Sequence, residues 1–228
     1  MLCDIIKRER TPAWTAPFFP LSHDCPKGQI NNIMIRVYTA LCKAYFKELS
    51  ERQIFQKSTD TFSHLGEPCP NCGAKGKLTG HGDYGRYLVS FENGEIVVTL
   101  VSPDRFLCSS CKTSHALLPD IIIPYGRYSL LFVLAVMLAY FERAMAVSKI
   151  CEQFGIAVST IYNWKDRVSE HKNLMLGALI SQKQDMHSYV FGLLESNYLS
   201  DILRRFFRKY GFSFMQRQSI PTTRSRPP

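Results

Sequence analysis

The sequence predicts an α+β protein: a small β module organised by a metal ion, then an all-α bundle, with a helix ahead of both. Two observations carry that prediction. Cys69-Pro-Asn-Cys72 and Cys108-Ser-Ser-Cys111 are two Cys-x-x-Cys pairs at turn-forming sequence. Further on, residues 147–166 place apolar side chains at helical spacing on both sides of Gly155. A chain of 228 residues has room for one large domain or two small ones. Its 46% hydrophobic and 21% charged content is ordinary for a globular protein. The net charge is +9, and residues 187–228 hold seven Lys/Arg against two Asp/Glu. A basic excess favours polyanionic partners, chiefly nucleic acid, through counterion release; solubility alone is the plainer reading.

Residues 1–28 read as irregular, interrupted by Pro12, Pro17, Pro20 and Pro26. From Ile30 to Gln56 an apolar residue recurs every fourth position (Ile33, Val37, Leu41, Tyr45, Leu49), which predicts a helix within an N-terminal unit spanning 1–60. No signal peptide is evident at Met1-Leu-Cys-Asp-Ile-Ile-Lys-Arg. The most apolar run, Leu130 to Phe141, is shorter than the ~20 residues a membrane span needs. The expectation is a cytoplasmic, nucleoid-associated protein without membrane partners. In a reducing compartment, paired cysteines favour a metal over a disulfide.

Residues 64–118 read as a four-cysteine zinc ribbon. Cys69, Cys72, Cys108 and Cys111 supply the four thiolates of a closed tetrahedral site, with Zn2+ as the default and iron as the other occupant of such a site. The 35 residues between the pairs need structure of their own. Asn93-Gly94 is a strong type I′ hairpin signal. A two-residue loop fixes the register: Glu92 faces Glu95, Phe91 faces Ile96, Val89 faces Val98, and Tyr87 faces Leu100. One hairpin face is then wholly apolar, and the hairpin is expected to return Cys108 to the first knuckle. His81 and His115 lie near the cysteines and read as turn or supporting residues rather than ligands. Cys3, Cys25 and Cys42 have no partner pair.

Residues 116–128 carry the proline and glycine punctuation of a linker. Helical pattern resumes at Ser129, and residues 129–185 read as a helix-turn-helix domain. In that motif two helices cross steeply over a tight turn and the second enters the major groove. Gly155 suits the turn, Cys151 the close crossing, and Ile150, Phe154, Ile156, Ile161 and Trp164 the wedge between the helices. An ordinary three-helix bundle with a glycine turn is the competing reading. Ser159 is placed as the second helix's cap. Ser159, Thr160, Tyr162, Asn163, Lys165 and Arg167 are the candidate DNA contacts, with Asn163 a natural partner for adenine. Residues 186–228 are read as one amphipathic helix from His187 to Lys209, stopped by Gly211, and a basic, disordered tail. Arg204, Arg205, Arg208 and Lys209 are candidate phosphate contacts, or simply a solvated face.

The strings Cys69-Pro-Asn-Cys72-Gly73, Gly80-His-Gly-Asp-Tyr84 and Cys108-Ser-Ser-Cys111-Lys-Thr-Ser-His115 resemble an uncharacterised bacterial family of domains of unknown function, tied to mobile elements in Firmicutes. Gly155-Ile-Ala-Val-Ser-Thr-Ile-Tyr-Asn-Trp164 is similar to the DNA-binding parts of insertion-sequence transposases. The resemblance covers about residues 64–168 and implies a protein of mobile-element origin that binds double-stranded DNA, with a second copy or a transposase as candidate partner. Such transposases carry three acidic residues on a large catalytic domain. Here only Glu170, Asp185, Glu195 and Asp201 follow Arg167, on short helical sequence. The expectation is therefore a DNA-binding protein with no catalytic residues and no nuclease activity. The alternatives are a zinc-ribbon interaction module or a transposition accessory factor.

Overall fold

A computed structural model describes residues 34–38 and 48–217, the side chains of Ala178 and Leu179 excepted. In chain order it contains β1 (Met34–Val37), α1 (Glu51–Asp60), β2 (Leu78–Asp83), β3 (Arg86–Glu92), β4 (Glu95–Val101), β5 (Asp104–Cys108), β6 (Ser114–Pro119), α2 (Leu130–Glu142), α3 (Val147–Phe154), α4 (Val158–Leu176), α5 (Ala178–Lys183), α6 (Met186–Glu195) and α7 (Leu199–Tyr210). Helices and small sheets are both present, and the strands precede the main helical run.

The hairpin forms in the expected register. Glu92 pairs with Glu95, Phe91 with Ile96, Val89 with Val98 and Tyr87 with Leu100. Asn93 and Gly94 both have positive φ, 53° and 86°, as a type I′ turn requires. The hairpin does not belong to the cysteine sheet, contrary to expectation. The four-stranded sheet runs β1-β6-β5-β2, and β3-β4 stands apart as a two-stranded sheet. It is β2 and β5 that bring the chain back, with Leu78 paired to Cys108. The hairpin leans instead on the helices, where Val89 joins the helical core and Phe91 packs at its edge. The like-charged turn ends find a use: Glu92 Oε1 accepts the backbone N–H of Glu51 at 3.0 Å, the first residue of α1.

The helix expected over 30–56 is corrected where it is described. Met34–Val37 is a strand, paired in parallel with Ala116–Pro119 of β6. Met34 and Ile35 face different apolar clusters, so this strand is covered on both sides. A strand buried on both faces shows no alternation, and its parallel partner lies far along the chain. The helix is α1, capped by Ser50, whose side chain accepts from the N–H of Gln53 while Gln53 bonds back to the Ser50 N–H. The expectations for residues 1–33, 39–47 and 218–228, including the basic tail, fall outside the described residues.

The helical half has the largest core. Phe132 of α2 is 1% exposed and sits at the centre of an aromatic cluster. Its ring lies 5.1 Å from Tyr128, 5.8 Å from Phe154, 6.2 Å from Trp164 and 6.5 Å from Phe91 of the hairpin. One phenyl ring thus joins the hairpin, the linker and three helices. The single helix expected from His187 to Lys209 is two. α6 ends at Glu195, Ser196 is extended, and α7 starts at Leu199. The break lets Leu193 and Leu199 both enter the core, and places Ser200 where its hydroxyl lies 2.5 Å from Asp120.

Candidate metal centre and helix pair

Both cysteine knuckles are built alike. In the first, Gly73 N–H donates to Cys69 O at 2.8 Å and Cys69 N–H to Ala74 O at 3.0 Å. In the second, Lys112 N–H donates to Cys108 O at 2.9 Å and Cys108 N–H to Thr113 O at 3.0 Å. The residue after each second cysteine has positive φ: 72° at Gly73 and 59° at Lys112. Side chains tie the knuckles together as well, Asn71 Nδ2 donating to Thr113 Oγ1 at 3.2 Å.

The four sulfurs converge. Sγ atoms of Cys69, Cys72, Cys108 and Cys111 lie within 4.8 Å of one another, the one such metal-capable cluster among the described residues. Cys69 and Cys111 sulfurs are 3.7 Å apart and those of Cys72 and Cys108 are 3.8 Å apart. Four ligands at the usual metal–sulfur length of about 2.3 Å around a tetrahedral ion stand about 3.8 Å from each other. The residues therefore fit a tetrahedral ion such as zinc, and they form no disulfide. The thiols differ in environment. Burial pushes the Cys69 thiol up to about 11. A hydrogen bond with Thr113, then one with Asn71, holds Cys111 down at about 5. Cys108 is lowered too, chiefly by the backbone N–H of Cys111.

His115 belongs to this site without being in the cysteine set. It is fully buried, with Nε2 3.2 Å from Cys69 Sγ. His81 stands exposed on β2. The distinction is invisible in sequence, because only the pairing of β5 with β6, Phe106 against His115, turns His115 inward.

The second element is the pair α3 and α4. Gly155 ends α3 in the left-handed region with φ 57°. The left-handed conformation favours glycine, and a β-carbon there would stand 3.0 Å from Ile96 Cδ1 of the hairpin, which would have to shift. Ile150, Phe154, Ile156, Ile161 and Trp164 are all at most 7% exposed and close the angle between the helices. Ser159 is not the cap. α4 starts at Val158, two residues earlier than a Ser159 cap requires, with Ala157 at the cap position and no side-chain hydrogen bond to the free N–H groups.

The candidate contact residues are spread unevenly. Ser159, Tyr162 and Asn163 are exposed, and Thr160 and Lys165 are half-buried. Lys165 Nζ is 3.1 Å from Asp166. Arg167 turns the other way, donating to Met215 O at 3.1 Å. On α7, Arg205, Arg208 and Lys209 are exposed, while Arg204 pairs with Asp201 at 3.4 Å and covers the Tyr38 ring. Of the downstream acids, Asp185 caps α6 by accepting the Ser188 N–H at 2.8 Å. No described helix is long and apolar enough to cross a membrane.

Residues 69–164 match the family model for a domain of unknown function, DUF6431. The match opens at the first metal-site cysteine and closes on Trp164 of α4. It therefore spans the knuckles, the hairpin and the turn of the helix pair, the last two of which the Phe132 cluster packs together. It carries no link to transposases or to Firmicutes. No curated protein and no solved structure matches the chain.

Proposed function

We propose that this chain is a zinc-dependent, sequence-specific binder of duplex DNA, of transposable-element origin and without nuclease activity. In this reading the cysteine sheet is a zinc ribbon that fixes the knuckles, and α3–Gly155–α4 is a helix-turn-helix. The observation that carries it is the outer face of α4. Ser159, Tyr162 and Asn163 are exposed while Ile161, Trp164 and Val168 on the same helix are buried. That leaves a hydroxyl, a phenol and an amide side chain at the start of a helix whose N–H groups have no side-chain cap, the arrangement a major groove accepts. Arg167 drops out of the contact set because the Met215 carbonyl holds it. Ser159, Thr160, Tyr162, Asn163 and Lys165 remain, with Arg205, Arg208 and Lys209 as candidate phosphate contacts.

A protein-interaction module is the second reading. It is favoured by the pairing of Lys149 with Glu152 and Lys165 with Asp166, which leaves the helix pair nearly neutral. The test is binding of the zinc-loaded chain to fragments of its own genomic neighbourhood, at two salt concentrations with unrelated competitor DNA. DNA binding weakens steeply with salt, whereas an apolar protein interface hardly responds. Binding that survives competitor and weakens about 5- to 100-fold in Asn163→Ala supports the helix-turn-helix reading. Absence of binding by the folded, zinc-loaded chain overturns it.

A further inference from the structure

Between the β3–β4 hairpin and the turn at residues 123–126 lies a cleft of about 720 Å³, within the size range of small-ligand sites. Its rim is unusual. Tyr125 is 72% exposed and has φ 61°. It follows Pro124 in a turn closed by Gly126 N–H donating to Ile123 O at 3.1 Å. That is the third position of a type II turn, where positive φ makes glycine the natural residue. A bulky side chain there costs about 1–2 kcal/mol, yet the ring is left in solvent and recovers nothing by burial. Tyr87, which lines the same cleft, is 63% exposed. Neither ring touches another aromatic ring among the described residues.

The charge is one-sided. Arg86 and Arg127 line the cleft, and no carboxylate does among the described residues. Arg127 is exposed, lies 4.8 Å over the Tyr128 ring and donates to its hydroxyl at 2.7 Å. Arg86 donates to Gly126 O, which holds the turn against β3, and its Nε is buried without a partner. The floor is apolar, with Met34, Val89 and Leu118 buried in it.

We propose that this cleft binds an unpaired nucleotide of a single-stranded nucleic acid, its base stacking on Tyr125 and Tyr87 and its phosphate meeting Arg127. Exposed aromatic faces beside cations on an apolar floor are what base stacking plus phosphate attraction require. A base inside a duplex cannot reach such rings. The polar groups of the lining are the two arginines and the hydroxyls of three tyrosines, which suits a site that holds a strand by stacking and charge without reading its sequence. This site is separate from the α4 face and does not rest on the duplex reading.

The experiment is anisotropy of a fluorescein-labelled ten-nucleotide oligothymidylate titrated with the full zinc-loaded chain. We expect Tyr125→Gly and Tyr87→Ala each to weaken binding about 5- to 100-fold. Tyr125→Gly should also raise the melting temperature, since it relieves the backbone; a purely structural tyrosine would lower it. Asn163→Ala should leave oligothymidylate binding intact, so failure here and failure of the duplex reading are distinguishable. Wild-type affinity in both tyrosine variants overturns the proposal, as does loss confined to Asn163→Ala. Equal competition by thymidine monophosphate overturns the assignment to a strand.

Discussion

The cysteine module and the helical bundle reach order by different means. The module buries Ile35, Cys69, Leu78, Phe106, Cys108 and Leu117 as its apolar cluster, and two of those six are metal-site cysteines. The bundle buries one core drawn from α2, α3, α4, α6 and α7, with Phe132 in it and without calling on any of the four clustered cysteines. A cluster of six side chains is too small to fold a module alone. On the proposed reading, organisation of the first region rests on the four cysteines and a bound ion, and organisation of the second on packing. The hairpin is the seam: its Leu88 and Val101 face α1, while Val89 and Phe91 face the bundle.

The sharpest break in this comparison is metal removal. Metal binding to a structural four-cysteine site supplies about 10–16 kcal/mol in isolated zinc modules. Chelation, or Cys69→Ser, is expected to unfold the knuckles and release β2, β5 and β6 to rapid hydrogen exchange. Amides of α2, α4 and α6 should stay protected. Simultaneous loss of protection in both regions would show that the bundle, too, depends on the metal site.

The reverse cut is Phe132→Ala, expected to cost about 3–5 kcal/mol by emptying the contact point of Phe91, Tyr128, Phe154 and Trp164. Denaturant unfolding of the metal-loaded variant measures it. The knuckles should keep their metal, read as unchanged zinc stoichiometry, while the bundle midpoint falls.

These two cuts also mark what sequence can and cannot reveal. The knuckles, the hairpin register and the Gly155 turn are legible because each is set within a few residues. Asn93-Gly94 fixes a ladder on its own, and Gly155 with its apolar neighbours fixes an angle. What stays hidden is set by distant partners. β1 is a strand because residues 116–119 lie beside it. The hairpin's apolar face follows from its register, but not that Val89 and Phe91 are covered by the helices while Tyr87 on β3 and Ile96, Val98 and Leu100 on β4 remain 40–63% exposed. His115 is buried at the site and His81 is not, although both stand near a cysteine pair in sequence. Tyr125 gives no local signal at all, because its meaning lies in a backbone angle.

Acid and base should separate the regions on a smaller scale. Glu51, at the seat of α1, is held up at about 8 by burial, partly opposed by a hydrogen bond with Ser129 and reinforced by Glu92. Its folded value lies above the ordinary 4.5, so its contribution is complete below pH 4.5 and is lost as pH rises towards 8. His171 in the bundle goes the other way. Burial, then the charge of Arg167, lowers it to about 4, and its Nδ1 accepts the Met215 N–H at 2.9 Å. Its contribution is complete above the ordinary 6.5 and is lost as pH falls towards 4. Glu51→Gln should flatten the decline between pH 4.5 and 8, an effect on the order of a few kcal/mol. It should leave the acid limb unchanged. Denaturant midpoints across that range check it; an unchanged slope would mean Glu51 ionises freely in the folded chain.

The smallest effect comes from comparing the two knuckles with each other. They share the same hydrogen bonds and the same left-handed residue, yet one uses Gly73 and the other Lys112. A lysine held in that region costs about 1–2 kcal/mol relative to glycine. Glycine in turn loses about 0.5–1 kcal/mol more chain entropy on folding. Lys112→Gly should therefore stabilise the metal-loaded protein by about 0.5 kcal/mol, and Gly73→Lys should destabilise it by a similar amount. Thermal melting with bound metal reads both. If Lys112→Gly is instead destabilising, the lysine side chain is contributing a contact beyond its backbone role, and the second knuckle is not the geometric copy of the first that its hydrogen bonds describe.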